Sequence, residues 1–261
     1  MSLVTLEHAD GLATVTLRRP EARNAVNLEM KIAFIDALHR AAHDDDVRAL
    51  LLRAEGPAFC VGQDLREHAD ALERGPQTAL TTVRAHYNRI VTGIDALDVP
   101  VVVAISGACV GAGLGFALAG DIRVAADDAR FATAFTGIGL ASDSGLARAL
   151  VRTAGAGVAA ELLLLGEPFS AEQARAWGLV TRVVAADDVD ETAATLARRL
   201  AEGPTRAFAR VKALLRRADT TELATMLSWE ADAQEALALT ADHRTAVSAF
   251  LDKQRPQFTG R

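Results

Sequence analysis

The sequence predicts an α/β fold in which strands alternate with helices and a run of helices alone follows. Up to about residue 133, short buried apolar runs and alternating segments are interleaved with helical periods, and from about residue 145 the helical period dominates. Half of the 261 residues are hydrophobic and only 5% are aromatic, which together with abundant Ala and Leu is typical of helix-rich globular proteins. This length is sufficient for one large domain, or for a domain with a small appendage.

The first segments read as a hairpin, a helix and a strand. "LVTLEHADGLATVTL" alternates apolar and polar residues on both sides of "ADG", which predicts two antiparallel strands. Asn27 is predicted to cap a helix over residues 28–44, because apolar residues recur there at three- and four-residue spacing. Residues 47–55 read as a short buried strand, and residues 66–98 as helix with a break near "RGPQ".

The middle of the chain contains two glycine-containing loops. "GPAFCVGQDL" is predicted to be a loop after a buried strand, and "GACVGAGLGFALAGDI" a second loop that runs into a helix. Between them, "VPVVVAIS" has the continuous apolar character of a strand buried on both faces. "RVAADDARFAT" returns to strands, and the segments from about residue 145 to the tail "QFTGR" are predicted to be mostly helical.

Charge and composition exclude several classes of function. Lys and Arg number 28 and Asp and Glu 34, so the net charge of −6 argues against a nucleic-acid-binding surface. The apolar stretch 99–120 is interrupted by glycines and flanked by Asp98 and Asp121, which favours a buried strand, loop and helix over a membrane span. The first 17 residues lack the pattern of a signal peptide, so a cytoplasmic location is expected.

The cysteines and histidines do not suggest a metal or a disulfide. Cys60 and Cys109 each lie in an apolar run and are predicted to be buried, unreactive thiols. His39 and His43 have helical i, i+4 spacing, but no carboxylate motif accompanies them. No metal site is therefore predicted.

Two features of the sequence allow both a structural and a catalytic interpretation. Gly111, Gly113 and Gly115 follow a G-x-G-x-G spacing, which does not match the dinucleotide fingerprint and fits either close helix packing or a backbone N–H aimed at an oxyanion. Asp143 is a single charge among small apolar residues in "GIGLASDSGLARAL". Its local sequence suits a helix cap, and a role in proton transfer is the alternative.

The two glycine loops resemble the signature loops of the crotonase, or enoyl-CoA hydratase/isomerase, superfamily. The resemblance extends from "LRRPEARNAVN" through "GEPFSAEQARAWGLVTRVV" to "SAFLDKQRPQF". It implies a ββα spiral core with an acyl-CoA site over residues 1–200 and a helical trimerisation region over residues 201–261. It also implies a homotrimer or a dimer of trimers, and no cofactor, since coenzyme A arrives as part of the substrate.

The resemblance also implies which groups carry the chemistry. The backbone N–H groups of Gln63 and Ala112 would bind the thioester oxygen, and Asp143 would shuttle the proton. Hydratases of this superfamily use two glutamates, and their positions correspond here to Gly115 and Phe135. Hydration by that mechanism is therefore not expected.

Within the superfamily, the sequence resembles the ring-1,2-epoxyphenylacetyl-CoA isomerases of phenylacetate degradation through "FCxGQDL", "GAGxxxALxGDI", "SAEQAxxWG" and "PQFTG". This similarity favours an isomerase that shifts a double bond or rearranges a ring epoxide. Other members of the superfamily remain alternatives, namely a weak hydratase, a dehalogenase or an acyl-CoA-binding protein without turnover. The dehalogenase chemistry expects a tryptophan at the position of Phe135.

The coenzyme A contacts are carried over by position. Ala22 and Arg23 would border the adenosine, and the carbonyl of Val61 would accept a hydrogen bond from the adenine amine. Phe250 and Lys253 would reach the nucleotide bound by a neighbouring subunit, although a Lys near a helix end is also a common solvated cation. Two further residues are predicted to contact coenzyme A, namely Asp64 and Leu65.

Overall fold

Two β-sheets and a set of helices make up the computed structural model, which describes residues 2–261. One sheet has six strands in the order β1-β2-β3-β5-β7-β10, and the other has four in the order β4-β6-β8-β9. The strands are β1 Val4–Ala9, β2 Leu12–Leu17, β3 Ala49–Ala54, β4 Ala58–Cys60, β5 Val101–Ile105, β6 Ala108–Val110, β7 Ile122–Ala126, β8 Arg130–Ala132, β9 Phe169–Ser170 and β10 Arg182–Val184.

The helices connect the sheets and form the C-terminal part. A π-helical turn, Val83–Tyr87, runs directly into α3. The α-helices are α1 Leu28–Ala42, α2 Leu65–Arg74, α3 Asn88–Ala96, α4 Ala112–Ala119, α5 Leu146–Leu165, α6 Ala171–Ala176, α7 Val189–Ala201, α8 Thr205–Leu215, α9 Leu223–Ala238 and α10 Ala241–Leu251.

The six-stranded sheet begins with the predicted hairpin. Strands β1 and β2 pair antiparallel, and the turn between them contains Asp10 and Gly11, both with positive φ (51° and 78°). Such a turn matches the twist of the flanking strands. The remaining strands pair in parallel, and the central strand β5 is buried along its whole length. This confirms that the apolar run "VPVVVAIS" forms a strand covered on both faces.

The second sheet gives the fold its spiral form. After β3, β5 and β7 the chain crosses to the other sheet and adds β4, β6 and β8, which pair in parallel. After β4 and after β6, helices return the chain to the six-stranded sheet, so each of these turns is a ββα unit. Successive turns place the ends of β4 and β6 side by side, and the candidate site lies at those ends.

Four short strands differ from the sequence-based prediction. Strands β4 and β6 lie within the two segments that were predicted to be glycine loops, and β9 and β10 lie within the part predicted to be helical. Each has only two or three residues, which is too few for an alternating pattern to show. They form because the spiral brings a distant partner strand alongside them.

The C-terminal part joins the core through α7 and α8. Helix α7 packs on β3, β5 and β7. Lys212 of α8 is 7% exposed and donates to the carbonyl of Val99 (2.8 Å) and to the carboxylate of Asp121 (2.5 Å), which holds α8 beside the starts of β5 and β7. Within residues 2–261, no helix combines the length and the apolarity needed to cross a membrane.

The buried thiols agree with the prediction for the two cysteines. Cys60 and Cys109 are both free and fully buried. Burial raises the pKa of Cys60 to about 12 and that of Cys109 well above its ordinary value. Both thiols therefore stay protonated and serve as small packing groups at neutral pH.

Candidate active site

Two glycine turns lie against each other where β4 and β6 end. Gly62 and Gly111 both have positive φ (84° and 58°), a conformation that glycine adopts without strain. A Cβ atom on Gly62 would lie 3.2 Å from the backbone nitrogen of Ala112, so the first turn approaches the second closely. A Cβ on Gly113 would lie 2.2 Å from the carbonyl oxygen of Cys60, so glycine is required for α4 to pack against β4.

Each turn presents one free backbone N–H to the same cavity. The N–H groups of Gln63 and Ala112 find no backbone or side-chain acceptor in the part of the chain that the structure describes, and both residues line the cavity. Ala112 is also the first residue of α4, where the helix dipole favours negative charge. The two donors therefore form a site suited to an oxyanion.

The cavity has a volume of about 410 Å³ and is largely apolar. Asp143 is the one ionisable side chain among its lining residues, and it is half-buried. Burial raises the pKa of this carboxyl, and a hydrogen bond from Ser144 opposes the rise. The lining residues are Ala25, Val61, Gly62, Gln63, Leu65, Val110, Gly111, Ala112, Thr133, Ala134, Phe135, Ile138 and Asp143.

Asp143 does not cap a helix. Helix α5 begins at Leu146, its cap position is Gly145, and no side chain accepts a hydrogen bond there. The carbonyl of Asp143, not its carboxylate, accepts from the N–H of Leu146 (3.0 Å). The interpretation of Asp143 as a helix cap is therefore wrong for its side chain, which faces the cavity.

The two positions that the resemblance assigns to the hydratase glutamates hold no carboxylate, and Gly115 has no space for one. A Cβ on Gly115 would lie 2.5 Å from the Cβ of Ser144 and 2.7 Å from its carbonyl oxygen. Phe135 lines the cavity, and its ring edge lies 4.0 Å from where a Cβ on Gly111 would be. One position is thus filled by a neighbouring segment, and the other by an aromatic wall beside the oxyanion site.

The only tyrosine of the chain, Tyr87, is a site neighbour that the sequence-based prediction missed. Its hydroxyl donates to the side-chain oxygen of Gln63, and its ring stacks on Phe116 at 6.0 Å between centroids. Burial raises its pKa far above the ordinary range. The Nζ of Lys31 lies 5.4 Å from the ring centroid. A single tyrosine in a region predicted to be helical is a weak signal, because nothing local indicates which loop it meets.

Comparison with known proteins shows the family to which the chain belongs. The family profile described as "Enoyl-CoA hydratase/isomerase" matches residues 7–261. The chain belongs to the enoyl-CoA hydratase/isomerase family. A crystal structure of a "putative Enoyl-CoA hydratase/isomerase" from Mycobacterium abscessus superposes with a TM-score of 0.97 at 50% identity, covering 99% of this chain and 100% of that one. The crotonase fold is thereby confirmed.

Two relatives whose names state different activities have nearly the same sequence identity to this chain. It is 41% identical over 258 residues to the 1,2-epoxyphenylacetyl-CoA isomerase of Escherichia coli (strain K12), covering 98% of each chain. It is 39% identical over 258 residues to a "Probable enoyl-CoA hydratase" of Rhodobacter capsulatus, covering 99% of this chain and 98% of that one. Identity alone therefore does not separate isomerase from hydratase.

Two of the residues predicted to contact coenzyme A, Val61 and Leu65, line the cavity itself. Ala22 ends a 3₁₀ turn and Arg23 follows it in a left-handed conformation, exposed and outside the cavity lining. The side chain of Asn24 holds this turn in place, donating to the carbonyls of Glu55 and Ala58, at 2.9 and 2.8 Å. The predicted adenosine border is thus attached to the β3–β4 end of the core.

The side chain of Asp64 stabilises the fold through several hydrogen bonds. Its carboxylate accepts from Arg19 (2.6 Å) and from the backbone N–H groups of Arg66 and Glu67 at the start of α2. Although burial raises the pKa of Asp64, the hydrogen bonds from Arg19 and α2 outweigh it and lower the pKa. The carboxylate therefore joins the two predicted coenzyme A loops, and a contact with coenzyme A stays a prediction.

Phe250 and Lys253 lie apart from the cavity of their own chain. Phe250, on α10, is 83% exposed, and Lys253 follows that helix with a positive φ of 56°. Neither lines the cavity. Their predicted contact with a neighbouring subunit's nucleotide stays a prediction.

Proposed function

We propose that this protein is an acyl-CoA isomerase that needs no added cofactor and works through a thioester enolate. The observation that supports the proposal is that one apolar cavity is lined by two residues with backbone N–H groups free of hydrogen bonds within residues 2–261, Gln63 and Ala112, and by one carboxylate. The absence of a second carboxylate in the cavity lining favours moving a proton over adding water. A double-bond shift or a ring-epoxide rearrangement of an acyl-CoA fits this arrangement.

The double-bond shift can be written in balanced steps. The Asp143 carboxylate takes a proton from C2 of a 3-enoyl thioester, and the electron pair moves onto the thioester oxygen. The N–H groups of Gln63 and Ala112 stabilise that negative charge, and one such donor contributes about 3 kcal/mol. Asp143 then returns the proton to C4, and the double bond lies between C2 and C3.

The position of Asp143 suits it to take and return a proton. A carboxylate in water, with a pKa of about 3.9, is a weak base. Burial in the apolar cavity raises the pKa of Asp143 toward the operating pH, which improves both steps. A protein that only bound acyl-CoA would have no use for a half-buried carboxylate beside the oxyanion site, because burying a carboxylate without a charged partner is costly.

The decisive experiment replaces Asp143 with asparagine. Conversion of a 3-enoyl-CoA to the conjugated 2-enoyl-CoA is followed by ultraviolet absorbance. General base catalysis contributes about 10²–10⁴-fold, so Asp143→Asn should lose at least about a hundredfold in turnover while acyl-CoA affinity is kept. Asp128→Asn, on the exposed turn between β7 and β8, is the matched control and should keep normal turnover.

Isotope exchange supplies an independent readout. In deuterated water the wild-type protein should exchange the C2 or C4 protons of the substrate, and Asp143→Asn should not. Continued exchange in the variant would assign the proton transfer to another base. Unimpaired isomerisation by Asp143→Asn would refute the proposed mechanism.

A hydratase is the second candidate, because the "Probable enoyl-CoA hydratase" of Rhodobacter capsulatus is almost as similar as the isomerase. The same thioester site would serve that reaction. The discriminating observation is product analysis, since a hydratase forms a 3-hydroxyacyl-CoA from crotonyl-CoA whereas the proposed isomerase adds no water to it.

A further inference from the structure

Ser144, the residue after Asp143, has an unusual environment. It is only 2% exposed, and its backbone has a positive φ of 54°, which non-glycine residues seldom adopt. Its hydroxyl donates to Oδ1 of Asp143 at 2.7 Å. This is the one hydrogen bond that the Asp143 carboxylate makes within residues 2–261.

Gly115 provides the space for this serine. The Cβ and carbonyl oxygen of Ser144 lie 2.5 and 2.7 Å from where a Cβ on Gly115 would be, so any larger residue at 115 would displace the serine. Gly115 also corresponds to a hydratase glutamate. The volume that a carboxylate would need on α4 is therefore occupied by a serine from the segment before α5.

The hydrogen bond leaves the two carboxylate oxygens unequal. Oδ1 is held by Ser144, while Oδ2 has no partner among the described residues and belongs to a side chain that lines the cavity. A carboxylate held by one oxygen cannot rotate freely, and the other oxygen stays available for a substrate proton. Such fixed orientation of a reacting group is a main source of catalytic rate.

We propose that Ser144 is a positioning residue for the isomerisation, fixing Oδ1 of Asp143 so that Oδ2 exchanges the proton with the substrate. The inference rests on the proposed function, since it assumes that Asp143 is the base. This role would also explain the left-handed backbone of Ser144. A strained backbone persists only where the surrounding structure imposes it, and such residues cluster at functional sites.

Few other charges act on Asp143. Helix α4 consists of Ala, Gly, Leu and Phe and contributes no ionisable group. The π-helical turn contributes Tyr87, whose phenol is influenced by the charge of Asp143. Arg148, in the first turn of α5, is exposed and lines a different surface cleft. Burial is the larger influence on the pKa of Asp143, and within residues 2–261 the Ser144 hydroxyl is the side-chain group that opposes it.

The test uses Ser144→Ala and Ser144→Gly, which both remove the hydroxyl. A lost hydrogen bond to a carboxylate raises its pKa, so the acid limb of kcat/KM against pH should move up by about one pH unit in both variants. Loss of orientation should also lower kcat by about tenfold at the plateau, with KM within about twofold of wild type. Thr195→Ala is the matched control, since its hydroxyl donates to the Glu191 carboxylate at 2.8 Å on the exposed face of α7.

The two variants separate positioning from folding. Glycine adopts a positive φ without strain and alanine only with strain, so Ser144→Gly should have the higher thermal midpoint of the two. The positioning role requires equal kinetic defects in both despite this difference in stability. An unshifted pH profile in both, or a defect that is confined to the less stable variant, would overturn the inference.

A double variant distinguishes failure of this inference from failure of the proposed function. If Ser144 acts through Asp143, Asp143→Asn combined with Ser144→Ala should be no slower than Asp143→Asn alone. Normal kinetics in the Ser144 variants together with an inactive Asp143→Asn would remove only the role of Ser144. Full activity in Asp143→Asn would remove the proposed function as well.

Discussion

At the scale of single residues, glycines determine which backbone donors and which side chains the candidate site contains. Gly62 and Gly111 turn the chain so that the next N–H faces the cavity, which no residue with a side chain does without strain. Gly115 has a different purpose, since its missing side chain leaves room for Ser144 and so removes the place of a hydratase glutamate. Small residues thus determine both the oxyanion site and the number of carboxylates around it.

Restoring the hydratase carboxylate by one substitution should fail. Wild-type protein is expected to hydrate crotonyl-CoA far more slowly than a typical enzyme turnover of about 10 per second. Gly115→Glu should not raise that rate and should lower the thermal midpoint, because the new Cβ would collide with Ser144. Product analysis by chromatography measures the rate of hydration, and thermal unfolding measures the midpoint. Rapid hydration by the wild type would contradict the assignment of Gly115 and Phe135.

The half-buried charge of Asp143 should make stability depend on pH. Because the pKa of Asp143 is raised in the folded state, folding is less favourable where this carboxyl is ionised. Its contribution to stability is full below the unfolded value of about 3.9 and is lost as pH rises through the folded pKa. Asp143→Asn should therefore raise the thermal midpoint at neutral pH, and this gain should shrink as pH falls toward about 4. If the gain in thermal midpoint were the same at every pH, it would not come from the ionisation of Asp143.

At the scale of elements, the C-terminal tail is held by α10. Asp242, 4% exposed near the start of that helix, accepts from the N–H of Thr259 (2.7 Å), its hydroxyl (3.2 Å) and the N–H of Gly260 (2.9 Å). Arg48 donates to the carbonyls of Phe258 and Gly203, at 3.1 and 2.7 Å. The motif "PQFTG" thus connects α10 to the core.

Removing this anchor should release the tail. Asp242→Ala deletes three hydrogen bonds to a carboxylate and should cost about 2–4 kcal/mol in the free energy of unfolding. Hydrogen exchange at the amides of Thr259 and Gly260 should become much faster. Asp252→Ala is the control, since that exposed carboxylate makes one contact with Ser248 at 3.4 Å and should change stability by less than about 0.5 kcal/mol. Unchanged exchange in Asp242→Ala would contradict the anchoring role.

At the scale of the whole molecule, the C-terminal helices leave many large apolar side chains exposed, and groups of such side chains often mark surfaces that associate. Large hydrophobic side chains on or beside α8, α9 and α10 are at least 46% exposed, and these are Val211, Leu215, Leu223, Leu227, Leu239, Val247, Phe250 and Leu251. We therefore keep the prediction that residues 201–261 assemble the protein into a homotrimer or a dimer of trimers.

Assembly can be measured directly. Analytical ultracentrifugation at micromolar concentration should give the mass of three or six chains of 27.5 kDa. The physical reason is that burying apolar surface yields about 25 cal/mol per Å², so covering the exposed apolar side chains of α8, α9 and α10 favours closed symmetric association. A monomeric mass would contradict the prediction.

The sequence by itself determined the fold class, the hairpin, the buried strand β5 and the two glycine turns. These features follow from local periodicity and from the backbone freedom of glycine, which can be read without knowing what lies nearby. The motifs also predicted that Gln63, Ala112 and Asp143 act together, and the structure places all three on one cavity.

Only the tertiary structure decided what surrounds those groups. The strands β4, β6, β9 and β10 are too short to show a pattern, and they exist because the spiral supplies partners for them. The contact of Tyr87 with Gln63 and the fit of Ser144 against Gly115 join segments that are 24 and 29 residues apart, so no local pattern encodes them. The helix-cap interpretation of Asp143 failed for the same reason, since the carboxylate's direction depends on which atoms fill the neighbouring space.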